Sequence, residues 1–179
     1  MASLHFISIP GGTRARGAWL ESNQALGRLI ALHHSRLDRC IRIAGRIQAQ
    51  LAAIFPFMDG LCADTCPDCR QRCCNATRVW FDFRDLLFFH LTRQPIPPNQ
   101  LVYENERNCC YLAPNGCRLP RSSRPWACTR YLCPAQLAIV DAAPDEFLRG
   151  LTSTLEGIHD LRLDLEDAFL QGISKPGFF

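Results

Sequence analysis

The sequence is dominated by a cysteine-rich stretch, which reads CADTCPDCRQRCC at residues 62–74 and CCYLAPNGCRLPRSSRPWACTRYLC at residues 109–133. Ten of the 11 cysteines of the chain lie in these two groups, and the remaining one is Cys40. Thiolate sulfur is a soft ligand that suits zinc, iron–sulfur clusters and copper(I). The stretch therefore predicts a thiolate-rich metal centre, which the rest of the chain holds or presents.

The first residues of the chain do not have the features of an export signal. They lack a basic start followed by a long apolar run, and no later stretch of about 18 uncharged apolar residues could span a membrane. We therefore expect a cytoplasmic protein in a reducing compartment, where structural disulfides are rare. An odd number of cysteines in such a compartment favours metal ligation, with disulfides after export as the alternative.

Length and composition indicate one folded domain. The chain has 179 residues, of which 47% are hydrophobic and 21% are charged, so it can bury a core. A net charge of +3 is too small to indicate nucleic-acid binding. Within the single domain 1–179 we expect a loose N-terminal segment at residues 1–17, a long helix at 18–56, a cysteine-rich core at 57–135 and a helical segment at 136–179.

Helical periodicity is strong on both sides of the cysteines. The first pattern has apolar or small residues at steps of three and four, and Pro56 is expected to end it. Its positions are Leu26, Ile30, His33, Leu37, Cys40, Ala44, Ile47, Leu51 and Ile54. The second pattern starts after Pro144 and continues through Phe147, Leu151, Leu155, Ile158, Leu161 (or Arg162), Leu165 and Phe169. We predict a mainly α fold in which two long packed helices flank a small irregular metal-binding centre with a short β-hairpin, and in which the long helices bind a protein partner or a second copy of the chain.

Two local signals structure the predicted centre. Asp82 is a candidate N-cap for a short helix from Phe83 to Leu91, after the β-prone residues 79–81. The sequence Pro114-Asn115-Gly116 is turn chemistry, so it predicts a hairpin that brings Cys110 and Cys117 together.

The spacing of the cysteines indicates which of them bind metal. Cys66 and Cys69 form a C-x-x-C pair that can hold one ion, Cys73 can reach the same ion, and a fourth ligand must come from elsewhere. Eight cysteines could form two four-ligand sites, or one cluster with spare thiols. These predicted ligands are Cys66, Cys69, Cys73, Cys74, Cys110, Cys117, Cys128 and Cys133. Cys62 and Cys109 are then extra, and Cys40 is expected to be a small buried hydrophobic residue.

Arginines accompany the cysteines in both groups. Four thiolates around Zn²⁺ carry a net charge of about −2, which guanidinium groups can offset or relieve through hydrogen bonds to sulfur. The alternative is that these arginines are solvated surface residues. They are Arg70, Arg72, Arg118, Arg121, Arg124 and Arg130.

The motif C-x2-C-x3-C-C lies at residues 66–74, and it is followed by Cys110-Tyr-Leu, Cys117, Arg124-Pro125-x2-Cys128 and Cys133. This pattern closely resembles that of the YkgJ-like cysteine-rich family, described as zinc- or iron-chelating. The resemblance covers residues 62–134. That family often has Arg directly after the R-P-x2-C cysteine, whereas this chain has Thr129. Flagellin lysine N-methylases, which are larger, form a related group. The resemblance implies zinc or iron–sulfur binding and no single agreed activity.

Three functions are compatible with these patterns. The first is a metal-binding protein whose iron–sulfur cluster or zinc supports a redox or protein-modification reaction on a partner. The second is a non-catalytic interaction module that zinc stabilises. The third is an enzyme akin to the lysine methylases, although no glycine-rich nucleotide loop is visible. The clustered thiols and the family's link to iron favour an iron–sulfur cluster slightly over zinc, and the catalytic residues stay unassigned.

Overall fold

The fold is mainly helical, as predicted. A computed structural model of the protein describes residues 13–67, 69, 72, 79–101, 109–114 and 116–174, and for residues 13–16 the backbone alone. Within these residues the elements are α1 (Thr13–Leu32), a 3-10 turn (His34–Arg36), α2 (Asp38–Thr65), α3 (Phe83–Thr92), β1 (Leu112–Ala113), β2 (Gly116–Cys117), a 3-10 turn (Arg121–Ser123), α4 (Trp126–Arg130), α5 (Pro134–Asp141) and α6 (Asp145–Ser174).

The core lies between α2 and α6, the two longest helices of the described chain. Both bury most of the apolar stripe that the sequence predicts, although on α6 Phe147 is exposed and Leu155 is only partly buried. On α2 the stripe includes Ile47, which is 1% exposed, and on α6 it includes Ile158 and Leu165, which are fully buried. Each such side chain contributes about 1.5–3 kcal/mol when it leaves water. The prediction of two long packed helices is therefore confirmed.

The first long helix is interrupted, which the sequence did not predict. It starts at Thr13 rather than at residue 18, so the expectation of a loose segment over residues 1–17 is wrong for its last five residues; residues 1–12 lie outside the described chain. The break at residues 33–37 turns Leu37 into the core, where it is fully buried. A Cβ atom on Gly172 of α6 would lie 3.0 Å from Cδ2 of Leu37, so a glycine permits this close approach.

Helix α2 continues through Pro56, contrary to the prediction that this proline ends it. Proline lacks the N–H group that would bond to the carbonyl of Ala52, a loss that typically costs about 3 kcal/mol. The apolar stripe continues beyond the proline at Met58 and Leu61, which are 3% and 4% exposed. Burial of these two side chains offsets the cost, so the helix runs to Thr65 and the predicted boundary at residue 57 is wrong.

Helix α3 has the predicted N-cap. The Asp82 carboxylate accepts from the backbone N–H of Asp85 at 2.8 Å, and the Asp85 carboxylate accepts from the N–H of Asp82 at 3.1 Å. This reciprocal capping box satisfies two N–H groups that a helix start leaves without partners. The preceding residues 79–81 are not a strand, and Phe81 is instead buried against the ring of Trp19.

The predicted hairpin is present as a short antiparallel pair. Leu112 pairs with Cys117 and Ala113 with Gly116, whose φ of +110° favours glycine. Asn115 of the turn lies outside the described residues. The hairpin and α2 place cysteines of both groups beside the helical core.

Candidate functional site

The predicted metal ligands that the structure describes lie within or next to helices and the hairpin. Cys66 is the C-cap of α2, and Cys69 donates its backbone N–H to the Cys66 carbonyl at 3.4 Å. Cys117 lies on β2, Cys128 in α4 and Cys133 at the N-cap of α5. Cys110 precedes β1, and the six described ligands are all half-buried. Cys73 and Cys74 lie outside the described residues.

The nine cysteines in the described part of the chain form no disulfide with one another. The same part contains no group of three or more Cys, His, Asp or Glu side chains arranged to hold a metal ion. Zinc and iron–sulfur sites normally need four ligands. The described residues therefore do not make a complete site without Cys73 and Cys74, and the metal centre stays a prediction.

Two polar side chains contact the sulfur of Cys62, a cysteine that the spacing does not assign to a metal. Arg121 donates from Nη2 to its sulfur at 3.2 Å, and Gln136 donates from Nε2 at 3.5 Å. Both donors are buried, with 8% and 6% exposure. Since two donors are directed at one sulfur atom, Cys62 acts as a hydrogen-bond acceptor.

The other hydrogen bonds of the Gln136 side chain set the orientation of its amide group. Its Oε1 accepts from the backbone N–H of Cys133 at 3.2 Å, and its Nε2 also donates to Thr65 Oγ1 at 3.3 Å. With the oxygen assigned to the start of α5, the NH₂ group must face α2. This amide therefore joins Cys62 of the first cysteine group to the backbone of Cys133, the last cysteine of the second group.

Arg121 anchors a second connection to the same end of α2. Its Nε forms an ion pair with Asp59, and its Nη2 also donates to the Met58 carbonyl at 3.0 Å. The 3-10 turn that follows the hairpin is thereby tied to the helix end that carries Cys62 and Cys66.

Arg72 makes a third connection. It lies between Cys69 and Cys73 in the sequence and donates to the carbonyl oxygens of Ala113 at 3.0 Å and Pro114 at 2.7 Å. Those carbonyls belong to the hairpin, so Arg72 of the first cysteine group contacts the second group. Four of the arginines that the sequence associates with the cysteines donate side-chain hydrogen bonds to the protein, namely Arg72, Arg118, Arg121 and Arg124.

The hairpin register differs from the expected pairing of Cys110 with Cys117. Leu112 lies opposite Cys117, and the Cys110 thiol donates to the carbonyl of Gln100 at 3.2 Å. The thiol of Cys109 lies close enough to Cys117 for the two to interact electrostatically. Burial, and to a smaller degree the Cys117 charge, raise the pKa of Cys109. Period and turn type alone do not predict this register, because it depends on how the residues before β1 pack.

Cys40 is fully buried on α2, far along the helix from the other thiols, and burial raises its pKa. The expectation that it is a small buried hydrophobic residue is confirmed. A neutral thiol in the core neither attacks electrophiles nor binds metal readily.

A second polar cluster lies where α6 meets the start of α3. Arg162, 4% exposed, binds Asp85 at 2.9 Å and both carboxylate oxygens of Asp82 at 2.8 and 3.0 Å, and its guanidinium lies 5.8 Å from the centroid of the Trp126 ring. Burial raises the pKa of Asp85 to about 6, against the opposing charge of Arg162. The sequence places Arg162 within the apolar stripe of α6, and periodicity alone predicts an apolar contact at that position rather than a buried ion pair.

Comparison of the chain with protein-family models, curated proteins and solved structures found no significant match. The YkgJ-like resemblance therefore rests on the cysteine spacing. In the described part of the chain, no helix has both the length and the apolar character needed to cross a bilayer.

Proposed function

We propose that this is a cytoplasmic metal-binding protein whose cysteine centre holds an iron–sulfur cluster or zinc and supports a redox or protein-modification reaction on a partner protein. The observation that carries the proposal is that Arg121 and Gln136, which lie within and just after the second cysteine group, both donate to the sulfur of Cys62 in the first group.

The connections between the cysteine groups support the same proposal. Arg121 and Gln136 tie the second group to the end of α2, and Arg72 ties the intervening loop to the hairpin. These contacts join segments that carry the two cysteine groups, and the nine described cysteines form no disulfide with one another. In the proposed centre the ligands are the eight cysteines predicted from spacing, namely Cys66, Cys69, Cys73, Cys74, Cys110, Cys117, Cys128 and Cys133, and Cys62 is not one of them.

A zinc-stabilised interaction module is a second candidate, which the surface of α1 favours. Leu20 and Leu32 are 56% and 76% exposed, although large apolar side chains gain free energy by burial. A partner protein, or a second copy of the chain, could cover them. In this candidate the metal only holds the cysteine region together and has no open ligand position.

Anaerobic purification followed by metal analysis and a visible absorption spectrum tests both candidates. We expect a brown protein with a broad visible band and bound iron; a colourless protein with stoichiometric zinc would favour the interaction module. The replacement Cys128→Ser should lower the metal content, whereas Cys40→Ala should leave it unchanged because that thiol is buried in the core. A wild-type protein without stoichiometric iron or zinc, from cells supplied with both, would refute the metal centre.

A further inference from the structure

Two adjacent cysteines, Cys109 and Cys110, lead into the hairpin, and the spacing in the sequence assigns only Cys110 to the metal. The backbone N–H of Leu112 donates to the Cys109 carbonyl at 3.0 Å, so residues 109–112 form a β-turn at the start of β1. A β-turn brings its first and fourth residues within about 7 Å of each other, and it interrupts the alternation of side chains along an extended chain. The contacts of each thiol, rather than its position in the sequence, therefore decide which of the two can bind a metal.

Cys110 is bound to the segment before it through both its backbone and its side chain. Its N–H donates to the Leu101 carbonyl at 2.9 Å, and its thiol donates to the Gln100 carbonyl at 3.2 Å. The hydroxyl of Tyr111 strengthens the same contact, since it donates to the Asn99 carbonyl at 2.8 Å and accepts from the Asn99 N–H at 3.0 Å. A carbonyl oxygen is only an acceptor, so the Cys110 sulfur keeps its proton in this contact, whereas a metal ligand must lose it.

The sulfur of Cys109 has the opposite role, because it accepts hydrogen bonds. Burial raises the pKa of this thiol, and hydrogen bonds from the backbone N–H groups of Tyr111 and Leu112 oppose the rise. Backbone N–H groups directed at sulfur stabilise the thiolate, and hydrogen bonds to ligand sulfur tune metal centres. A bound cation deprotonates a coordinating thiol, so the burial of Cys109 does not prevent it from binding a metal.

Cys117 lies near Cys109 across the hairpin. It pairs with Leu112, the residue that the turn brings next to Cys109. The two thiols interact electrostatically, and Arg118 also acts on Cys109 through its charge. Arg118 is held at the turn, since its Nη2 donates to the Cys110 carbonyl at 2.9 Å. The turn and the hairpin thus place two sulfurs in one region with a guanidinium that can offset thiolate charge.

We propose that Cys109, and not Cys110, joins Cys117 as a ligand of the metal centre. The inference rests on the proposed function and changes its ligand set at this one position. Cys110 then anchors the turn to residues 99–101, which is a structural role. Zinc and iron–sulfur sites need further thiolates, and Arg72 of the first cysteine group contacts two carbonyl oxygens of the same hairpin. The first group is therefore well placed to supply the remaining ligands.

Zinc affinity of the full chain, measured anaerobically by competition with a chelator, tests this with two serine variants. A hydroxyl can donate to the Gln100 carbonyl as the thiol does, so Cys110→Ser should keep both the turn and the wild-type affinity. Serine oxygen lacks the softness of thiolate, so Cys109→Ser should weaken zinc binding by more than about 100-fold, since contacts just outside the ligands are already worth about 10–100-fold. The iron content of the purified variants should follow the same order. Cys40→Ala, whose thiol is fully buried in the core, is the control for the assay.

The inference is overturned if Cys109→Ser keeps wild-type affinity, or if Cys110→Ser loses as much affinity as Cys109→Ser, and the metal centre itself survives both results. A wild type that binds neither zinc nor iron instead refutes the proposed function, so the two failures are distinguishable. Cadmium NMR of the wild type needs no variant and covers the case in which Cys109→Ser does not fold. Scalar coupling from cadmium to the Cβ protons of Cys109 supports the inference, and coupling to those of Cys110 overturns it.

Discussion

The replacement Arg162→Met should destabilise the protein strongly, and more at pH 8 than at pH 5. Arg162 holds the buried carboxylate of Asp85 at 2.9 Å, and Asp85 is 3% exposed. Breaking a buried ion pair by removing one partner costs about 3–5 kcal/mol, because the remaining charge is buried without compensation. Methionine fills a similar volume, so a cavity contributes little to this cost.

The pH dependence follows from the pKa of Asp85. Burial raises it from 3.8 to about 6 in the folded protein, so the folded state holds the proton more tightly than the unfolded chain. This contribution to wild-type stability is complete below pH 3.8 and is lost as the pH rises through about 6. The positive charge of Arg162 opposes the rise, so its removal raises the pKa of Asp85 further. The free energy of unfolding of the variant therefore falls further below that of the wild type as the pH rises above about 6.

Urea unfolding of wild type and variant at pH 5 and pH 8 measures the difference. We expect most of the loss at pH 8, and a smaller loss at pH 5, where Asp85 carries its proton in both proteins. Arg84→Met is the control, because the Arg84–Glu166 pair also joins α3 to α6 but is partly exposed, and such pairs contribute about 0–1 kcal/mol. Equal destabilisation by Arg162→Met at the two pH values would refute the reasoning. At pH 8 the double variant Arg162→Met with Asp85→Asn should be more stable than Arg162→Met alone, because it has no buried unpaired carboxylate. Equal or lower stability of the double variant would also refute the reasoning.

Three further predictions concern the helices. Gly150→Ala should raise the free energy of unfolding by about 1 kcal/mol, because there is open space around this glycine. Gly172→Ala should not, since its Cβ would lie 3.0 Å from Leu37, and thermal melts of the two variants measure the difference. Pro56→Ala should stabilise α2 by about 1–3 kcal/mol in urea unfolding, and an unchanged midpoint would mean that the proline costs the helix nothing. Burial lowers the pKa of His90 below 6.5, so the stability that the neutral imidazole contributes above pH 6.5 is lost as the pH falls. His90→Gln should therefore lose less unfolding free energy than the wild type between pH 7 and pH 5, and an equal loss in both proteins would contradict this prediction.

The amino-acid sequence by itself determined the features that depend on short-range chemistry. The stripe of α6 follows from its spacing, the start of α3 from the capping carboxylate of Asp82, and the hairpin from its Pro-Asn-Gly turn. Each of these signals acts within a few residues, so no knowledge of the rest of the chain is needed to interpret it.

Only the tertiary structure decided where those elements stop and which side chains meet. The break before Leu37 has no local signal and is stabilised by packing against Gly172, and α2 passes Pro56 because the core accepts the next turn of its stripe. The donors on Cys62 come from residues 59 and 74 positions away in the sequence. Such contacts depend on how whole helices pack, since the free energy of burial is a property of the assembled core rather than of any local pattern.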